Sequence, residues 1–477
     1  MRTTLTVFTI LAAILAAILT ATAPHAAEWT YDGTSRLTHA ATGWILTVTA
    51  DGTDLTVTGY AKIPRSPASL PLADAISGGT HRITAIGDHT LSGGPHMKAL
   101  TLPATVTRIG SNALRSNGNL TSITVAAGNP AYRSDGGVLF SKDGTLIHFP
   151  IHRKETAYAI PPGTVRIGTA AFIGSFLTHV TIPDSVTEIG NQAFQYCSRL
   201  TNPAIPASVT SISSNAFSDC TAITAITVAE DNPAYRSIDG VVFSKDGRRL
   251  IAYPTSKHGA YTIPHGVTHI DDTAFQSSRN LPDIAIPASL TDFDHSAFQG
   301  CSELTNITVA ADNPAYRSIG GALFNKNGSI LLHCPWGKTG AYAIPHGTTH
   351  IDNSAFYGCQ HLTSVTIPGS VTGIGHYAFG SCHGLTEITI PASVAQISGQ
   401  AFMHCRGLRR ATFEGECPTV TGWEDYGMFR DSANNATVFI RAAHTASWAA
   451  KVTGSMTNGR TAEWQGSPVR VLPPVDE

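Results

Sequence analysis

Few residues in this chain have the types and spacings that chemistry demands. His265 and His269 recur as His346 and His350, each pair inside an Ile-Pro-His-Gly-(Val/Thr)-Thr-His-Ile segment. Four-residue spacing turns two imidazoles toward one metal only on a helix. Here Pro and Gly place them on a strand and its turn, so no metal is expected. Gly337-Lys338-Thr339 resembles the end of a phosphate loop, but Leu332 stands where the first glycine must be. Trp423, Glu424, Asp425 and Tyr426 form a cluster that could support hydrolytic acid–base chemistry. No HExxH or GxSxG motif occurs, no GxGxxG lies in a strand–helix setting, and no CxxC pair is present to hold zinc. No cofactor is expected.

Residues suited to recognition are, by contrast, repeated. Asn-Pro-Ala-Tyr-Arg-Ser occurs three times and places Tyr132, Tyr235 and Tyr316 on equivalent loops. Tyr and Arg dominate binding hot spots. The same residues also suit a purely structural part, Tyr packed on its own hairpin and Arg solvated.

The elements that carry these residues follow from a period of about 23 residues. It is plain in Leu362–Cys382 (LTSVTIPGSVTGIGHYAFGSC) and returns at Leu385–Cys405 and Leu177–Cys197. A fixed period of this length means a solenoid, whose units bury apolar faces only against their neighbours. In each unit Leu362, Val365 and Ile367 or their equivalents alternate with polar residues as a half-buried strand does, and Pro368 ends it. Val371 and Ile374 make a second inward contact. Ala378-Phe379 and Cys382 are expected to close the unit through a short helical or irregular turn on the convex side.

Aligning the strands by the residue between the inward positions gives Thr101, Thr124, Ala159, Thr181, Ala204, Thr227, Thr262, Ala285, Thr308, Ala343, Thr366, Thr389 and Thr412, at intervals of 22, 23 or 35. These strands are expected to stack into one parallel sheet. The long intervals follow Gly128, Asp231 and Asp312, where an insertion brings two β-prone runs around Lys-Asp-Gly or Lys-Asn-Gly. That is a hairpin signal, so three hairpins should project along one edge. The aligned positions point outward and are all Thr or Ala. A second outward row holds His179, Asn202, Asp283, Asn306 and Glu387 among smaller residues, with Arg410 beside Glu387. It is either solvated surface or a recognition stripe. The candidate binding residues are therefore His179, Thr181, Asn202, Thr227, Asp283, Asn306, Thr366 and Glu387, together with Tyr132, Tyr235 and Tyr316.

The expected organisation is a signal peptide over 1–27, a β cap over 28–60, a linker over 61–82, a curved solenoid over 83–413 and an irregular C-terminal cap over 414–477. These repeats resemble the BspA-like leucine-rich repeat family, bacterial surface proteins with units of the form LxxVxIPxSVTxIGxxAFxxC. The resemblance spans roughly residues 83–413 and includes the Asn-Pro-x-Tyr-x-Ser insertion. Leu91 and Leu114 stand where Phe is usual. The resemblance implies a leucine-rich repeat solenoid and a non-enzymatic adhesion or ligand-binding role, with host matrix proteins or other cells as partners for some members.

Composition agrees with such a surface. Charged residues make up 13% of the chain, with a net charge of −2, against about 25% charged in typical globular proteins. This leaves no basic field for nucleic acid or an anionic membrane. The apolar run Val7–Leu19 behind Arg2, with small residues at Ala21–Ala23 and Ala26-Ala27, reads as an export signal. The mature chain is then secreted or held at the cell surface, without membrane insertion. Cys197, Cys220, Cys301, Cys359, Cys382 and Cys405 share one place in the repeat and should form a ladder of buried thiols. Cys334 and Cys417 lie outside that register. The expected partner is an extracellular protein or glycan, matrix proteins included. The alternative is a structural matrix component acting by self-association.

Overall fold

The structure, a computed structural model, describes residues 29–472 except 66–68, 74–75, 78, 95, 214, 423–427, 433–435, 450, 453–461 and 465–466. The expected signal peptide and the Trp423–Tyr426 cluster lie outside the described residues. Two compact units are present, Met1–Leu177 with Ser185–Cys197 and Thr178–Asp184 with Ser198–Glu477. Each is a leucine-rich repeat solenoid of parallel strands. Among the described residues the one α-helix is Thr445–Ala449.

Each turn contributes three hydrogen-bonded rows. The first row holds the strands expected from the repeat, such as Ala99–Leu102, Leu362–Thr366 and Glu387–Ile390. Inward Leu362, Val365 and Ile367 are buried at 1%, 7% and 8% exposure. A second row of short strands arises from the Val-x-x-Ile segment. In the second unit it runs through Ile330–His333, His350–Ile351, Gly373–Ile374, Gln396–Ser398 and Thr419–Thr421, all parallel.

The third row was expected to be helical or irregular, and it is a regular ladder. Residues four apart adopt left-handed backbone, as Ser354 and Gly358 do at φ 56° and 76° and Tyr377 and Ser381 at 52° and 59°. That geometry turns alternate N–H groups to the same side. Ser354, Phe356 and Gly358 N–H therefore donate to His376, Ala378 and Gly380 carbonyls of the next turn at 2.8, 2.7 and 2.9 Å. Left-handed backbone costs a non-glycine residue about 1–2 kcal/mol, and the ladder bonds offset it.

Inside the rows, Phe356, Phe379, Phe402 and Phe429 stack face to face at 4.9, 5.1 and 5.5 Å. Burying each ring contributes about 1.5–3 kcal/mol. The repeat-register cysteines lie beside this column as buried thiols. Cys301, Cys382 and Cys405 donate to the carbonyls of Phe275, Phe356 and Phe379 in the preceding turn at 3.0, 3.1 and 2.8 Å.

The first row is not one sheet. It breaks at each insertion, because the insertion takes over the hydrogen bonds of the strand before it. Ile123, Ile226 and Ile307 N–H donate to Gly137, Gly240 and Gly321 carbonyls in the insertion turns at 2.9, 2.8 and 2.9 Å. Each insertion is an antiparallel three-stranded meander, as in Tyr132–Asp135, Val138–Ser141 and Thr145–His148. Its last strand does not project from the edge. It enters the second row, parallel to Arg166–Ile167.

The asparagine of Asn-Pro is the anchor of each insertion. Asn232 is fully buried. Its Nδ2 donates to Pro206 and Val209 carbonyls at 2.8 and 2.9 Å, and its Oδ1 accepts from Ala234 and Tyr235 N–H at 2.9 and 2.8 Å. Asn129 and Asn313 repeat the pattern on their own turns. A cation from the following segment then holds each insertion turn. Arg153 donates to the Gly136 carbonyl, Lys257 to Asp239 at 2.9 Å and Lys338 to Gly320 at 2.8 Å.

Both ends close with regular structure. Trp29–Tyr31, Arg36–His39, Ile45–Asp51 and Asp54–Lys62 form an antiparallel meander whose last strand pairs in parallel with Arg82–Ile86. Residues 61–82, expected to be a linker, include Ser69–Pro71, which pairs with Ala99–Leu102 in the first row. Trp29 and Trp44 fix it by donating to the Pro71 and Ser69 carbonyls at 2.7 and 2.9 Å. At the other end, expected to be irregular, Thr437–Arg441 and Ser467–Leu472 continue the first row in parallel. Trp448 on the short helix is fully buried against Phe413, with ring centroids 5.1 Å apart.

Asn232→Ala leaves two carbonyls and two N–H groups without their partner. We expect a loss of about 3 kcal/mol, read from the denaturant midpoint, with Ala234 and Tyr235 amides the first to gain hydrogen exchange. Unchanged exchange there would show that the asparagine is not the anchor.

Candidate recognition surface

The outward positions of the first row sit where the repeat places them. Thr181, Thr227 and Thr366 are exposed, as are His179, Asn202 and Glu387, while Asp283 and Asn306 are half-buried. Several are already engaged locally. His179 Nδ1 lies 2.9 Å from Thr178 Oγ1. Asn202 Oδ1 accepts from Thr224 Oγ1 at 2.9 Å and Ala225 N–H at 3.2 Å, so this side chain joins one turn to the next. Asp283 and Asn306 are register partners on adjacent strands.

The insertion tyrosines have an inward task. Tyr132 and Tyr235 hydroxyls accept the Ile109 and Ile212 N–H groups at 2.9 and 3.0 Å. Those are second-row strand ends that the insertion leaves without a neighbouring strand. Tyr316 occupies the equivalent position and is also half-buried. Arg133, expected to be solvated, stacks its guanidinium 4.4 Å from the centroid of Phe140, its cross-strand partner. Recurrence of the motif is thus accounted for by edge capping.

The most varied outward chemistry lies at the C-terminal end of the second unit, on residues not singled out from the sequence except for Thr366, Glu387 and Arg410. Glu387 and Arg410 are register partners on adjacent strands. The Arg410 guanidinium lies over the Phe439 ring at 4.2 Å. Arg441 pairs with Glu414 at 3.2 Å, and Arg470 follows Phe439 in register. Ser364, Thr366, Thr389 and Thr412 complete the walls of an open depression there with Glu387, Arg410 and Glu414. The signal was present in Thr437–Arg441, where Val438 and Ile440 are buried and Thr437, Phe439 and Arg441 alternate with them.

A leucine-rich repeat solenoid with an extended strand face is the class this geometry defines. The chain belongs to the family described as a BspA type leucine rich repeat region, which it matches in six copies over residues 78–143, 151–258, 251–332 and 338–441. Similar solved structures include a leucine rich cell surface protein of Faecalibacterium prausnitzii A2-165 (23% identity, 90% of this chain and 98% of that one, TM-score 0.37). A leucine-rich repeat protein of Eubacterium ventriosum ATCC 27560 is 24% identical over 77% of this chain and 92% of its own, with a TM-score of 0.42. The pneumococcal vaccine antigen PcpA is 18% identical over 92% and 98%, with a TM-score of 0.41. No curated protein matches the chain.

The first unit also contains a small cavity where the first insertion opens the rows, between Ser111–Arg115 and Gly168–Ala170, with His148 in its wall. His148 is 5% exposed. Burial without a charged partner lowers its pKa to about 4 from 6.5. The unfolded chain therefore takes up a proton below pH 6.5 that the folded chain refuses until about pH 4. Stability should fall as pH drops through that window, by roughly 1.4 kcal/mol per pH unit, and hydrogen exchange of residues 145–149 at pH 7, 5.5 and 4 reads it. His148→Leu should flatten this dependence.

Proposed function

We propose that this protein is a non-enzymatic adhesion module, exported through residues 1–27 and secreted or held at the cell surface. It binds an extracellular protein or glycan through the outward face of its first-row strands. The observation that carries this reading is the face from Ser364 to Leu472. There a flat Thr surface meets Glu387, Arg410, Phe439, Glu414 and Arg441 on consecutive strands. Arg beside an aromatic ring is a frequent recognition pairing. The surrounding Thr hydroxyls suit hydrogen bonding to a glycan or a peptide backbone. Family membership supports a surface role, since the BspA-like resemblance implies surface proteins, some of which take matrix proteins or other cells as partners. Thr181, Thr227, His179, Asn202, Asp283 and Asn306 extend the same row as weaker contacts, and repetition adds avidity.

The test is binding of residues 28–477 to immobilised matrix proteins and a glycan array, beside Arg410→Glu/Arg441→Glu and Thr366→Glu/Thr389→Glu variants. Saturable binding that falls at least tenfold in either variant is expected. Binding that neither variant weakens would move the site off this face. Failure to bind, together with concentration-dependent assembly in sedimentation, would favour a self-associating matrix component.

A further inference from the structure

The three insertions share one plan, and two of their positions change together. The first is the residue that joins the insertion to the Ala-Phe turn after it. Phe149, Tyr253 and Cys334 fill it, and their N–H groups donate to Ala171, Ala274 and Ala355 carbonyls at 2.7, 2.8 and 2.7 Å. The second lies three residues beyond the Phe of that next turn. Ser175, Ser278 and Cys359 fill it, and their N–H groups donate to Phe172, Phe275 and Phe356 carbonyls at 2.9, 3.0 and 3.0 Å. Serine thus accompanies an aromatic residue twice, and cysteine accompanies cysteine once.

The surroundings explain why the third copy differs. Phe149 stacks on Phe172 at 5.2 Å and Tyr253 lies on Phe275 at 4.9 Å. Cys334 puts no ring there. The Cys359 thiol turns back toward it, lying 3.5 Å from the Cys334 carbonyl oxygen and 3.7 Å from that of Pro335. Both are thiols in the structure, and the Cys334 thiol is among the groups that act on the Cys359 thiol. Both residues are fully buried. Elsewhere in the ladder the preceding turn offers a Phe, as for Cys382 and Cys405. Cys334 thus places a second thiol before Cys359 where the turns before Cys382 and Cys405 place a Phe.

We propose that Cys334 and Cys359 are the sites of a structural disulfide that ties the third insertion to the turn following it. Its formation in the organism rests on the export proposed above, because oxidising compartments are where such bonds persist. Burial raises the Cys359 thiol well above its usual range, so the bond forms during folding, before packing excludes solvent. One thiolate attacks a small disulfide such as oxidised glutathione, forming a mixed disulfide and releasing one glutathione thiolate. The second protein thiolate attacks the protein sulfur of that mixed disulfide and displaces the second glutathione. The two protein thiols lose two electrons and two protons, and one glutathione disulfide becomes two thiols. Closing this loop restricts the unfolded chain, the usual source of disulfide stabilisation.

The full chain is refolded with reduced and oxidised glutathione, then denatured with an alkylating agent present, digested and weighed by mass spectrometry. We expect one cross-linked pair of peptides, carrying Cys334 and Cys359, and alkylation of the other cysteines. In Cys359→Ser, Cys334 should become alkylated. A Cys334→Phe/Cys359→Ser variant copies the pair found in the first insertion and should fold. Reductant should lower the melting temperature of the natural chain and leave that variant unchanged. Alkylation of every cysteine, or a cross-link from Cys334 to any other cysteine, would overturn the proposal. Secretion into the medium is scored separately. A cross-link in refolded protein without any secreted pool would remove the export reading and leave the disulfide standing. Secreted protein carrying only thiols would remove the disulfide alone.

Discussion

Every turn of a solenoid must have its backbone N–H and C=O groups answered by the turns on either side, and this constraint governs the whole molecule. A globular domain can close a sheet with a hairpin or cover it with a helix. Here each unit buries its apolar face and satisfies its peptide groups only through its neighbours. The third row shows how far the constraint reaches. Asn112, Ala170, Ser354 and Tyr377 accept left-handed backbone because that turns each N–H toward the next turn's carbonyl. The Phe column supplies the adhesion between turns, and the peptide ladder fixes their spacing and direction.

The insertions show what happens when the stack is interrupted. A meander placed between two turns leaves strand edges open in the first and second rows, and an open edge is costly when buried and sticky when exposed. The Asn-Pro-Ala-Tyr-Arg-Ser motif answers these edges in turn. Asn129, Asn232 and Asn313 bind the carbonyls of the turn before. Tyr132 and Tyr235 take the second-row N–H groups. Ser134 Oγ accepts from Val125 N–H, and Ser237 Oγ donates to the Ile226 carbonyl. A six-residue motif recurs because an interruption recurs. The need is geometric and would exist with no ligand at all.

Much of this architecture was legible in the sequence, and the limits have physical reasons. The period, the first-row strands and the three hairpins follow from which residues are apolar, since burial is what periodicity records. Hydrogen-bond edges leave no such mark. Tyr132 reads equally well as a hot spot or a cap, and only the position of Ile109 N–H decides it. The second row was visible merely as an inward contact, because two-residue strands are too short to show alternation. Left-handed backbone at Ala, Ser and Tyr has no compositional signature, so the sequence reads the third row as helix or irregular turn. At the C-terminal end the 23-residue period fails while the strands continue. Thr437–Arg441 kept its alternation yet lost the Pro and Ala-Phe landmarks that identified the other units.

Position in the stack also bears on where recognition is best placed. The first row of the second unit is divided into short ladders, including Ala204–Ile205 with Thr227–Val228, which an insertion follows, and Gly340–Ala343 with Leu362–Thr366, which an insertion precedes. Beyond that ladder the row runs unbroken through Glu387–Ile390, Arg410–Phe413, Thr437–Arg441 and Ser467–Leu472. Side chains on that run are held in fixed register across successive strands, so Glu387, Arg410 and Phe439 form the preorganised set on which the proposed recognition rests. Preorganisation lowers the entropy lost on binding. Near Asn202 and Thr227 the polar atoms are partly committed to joining turns, and the second insertion follows within a few residues. The same constraint that forces each turn to serve its neighbours therefore fixes the register of the outward side chains over the longest run of strands where the insertions have ceased.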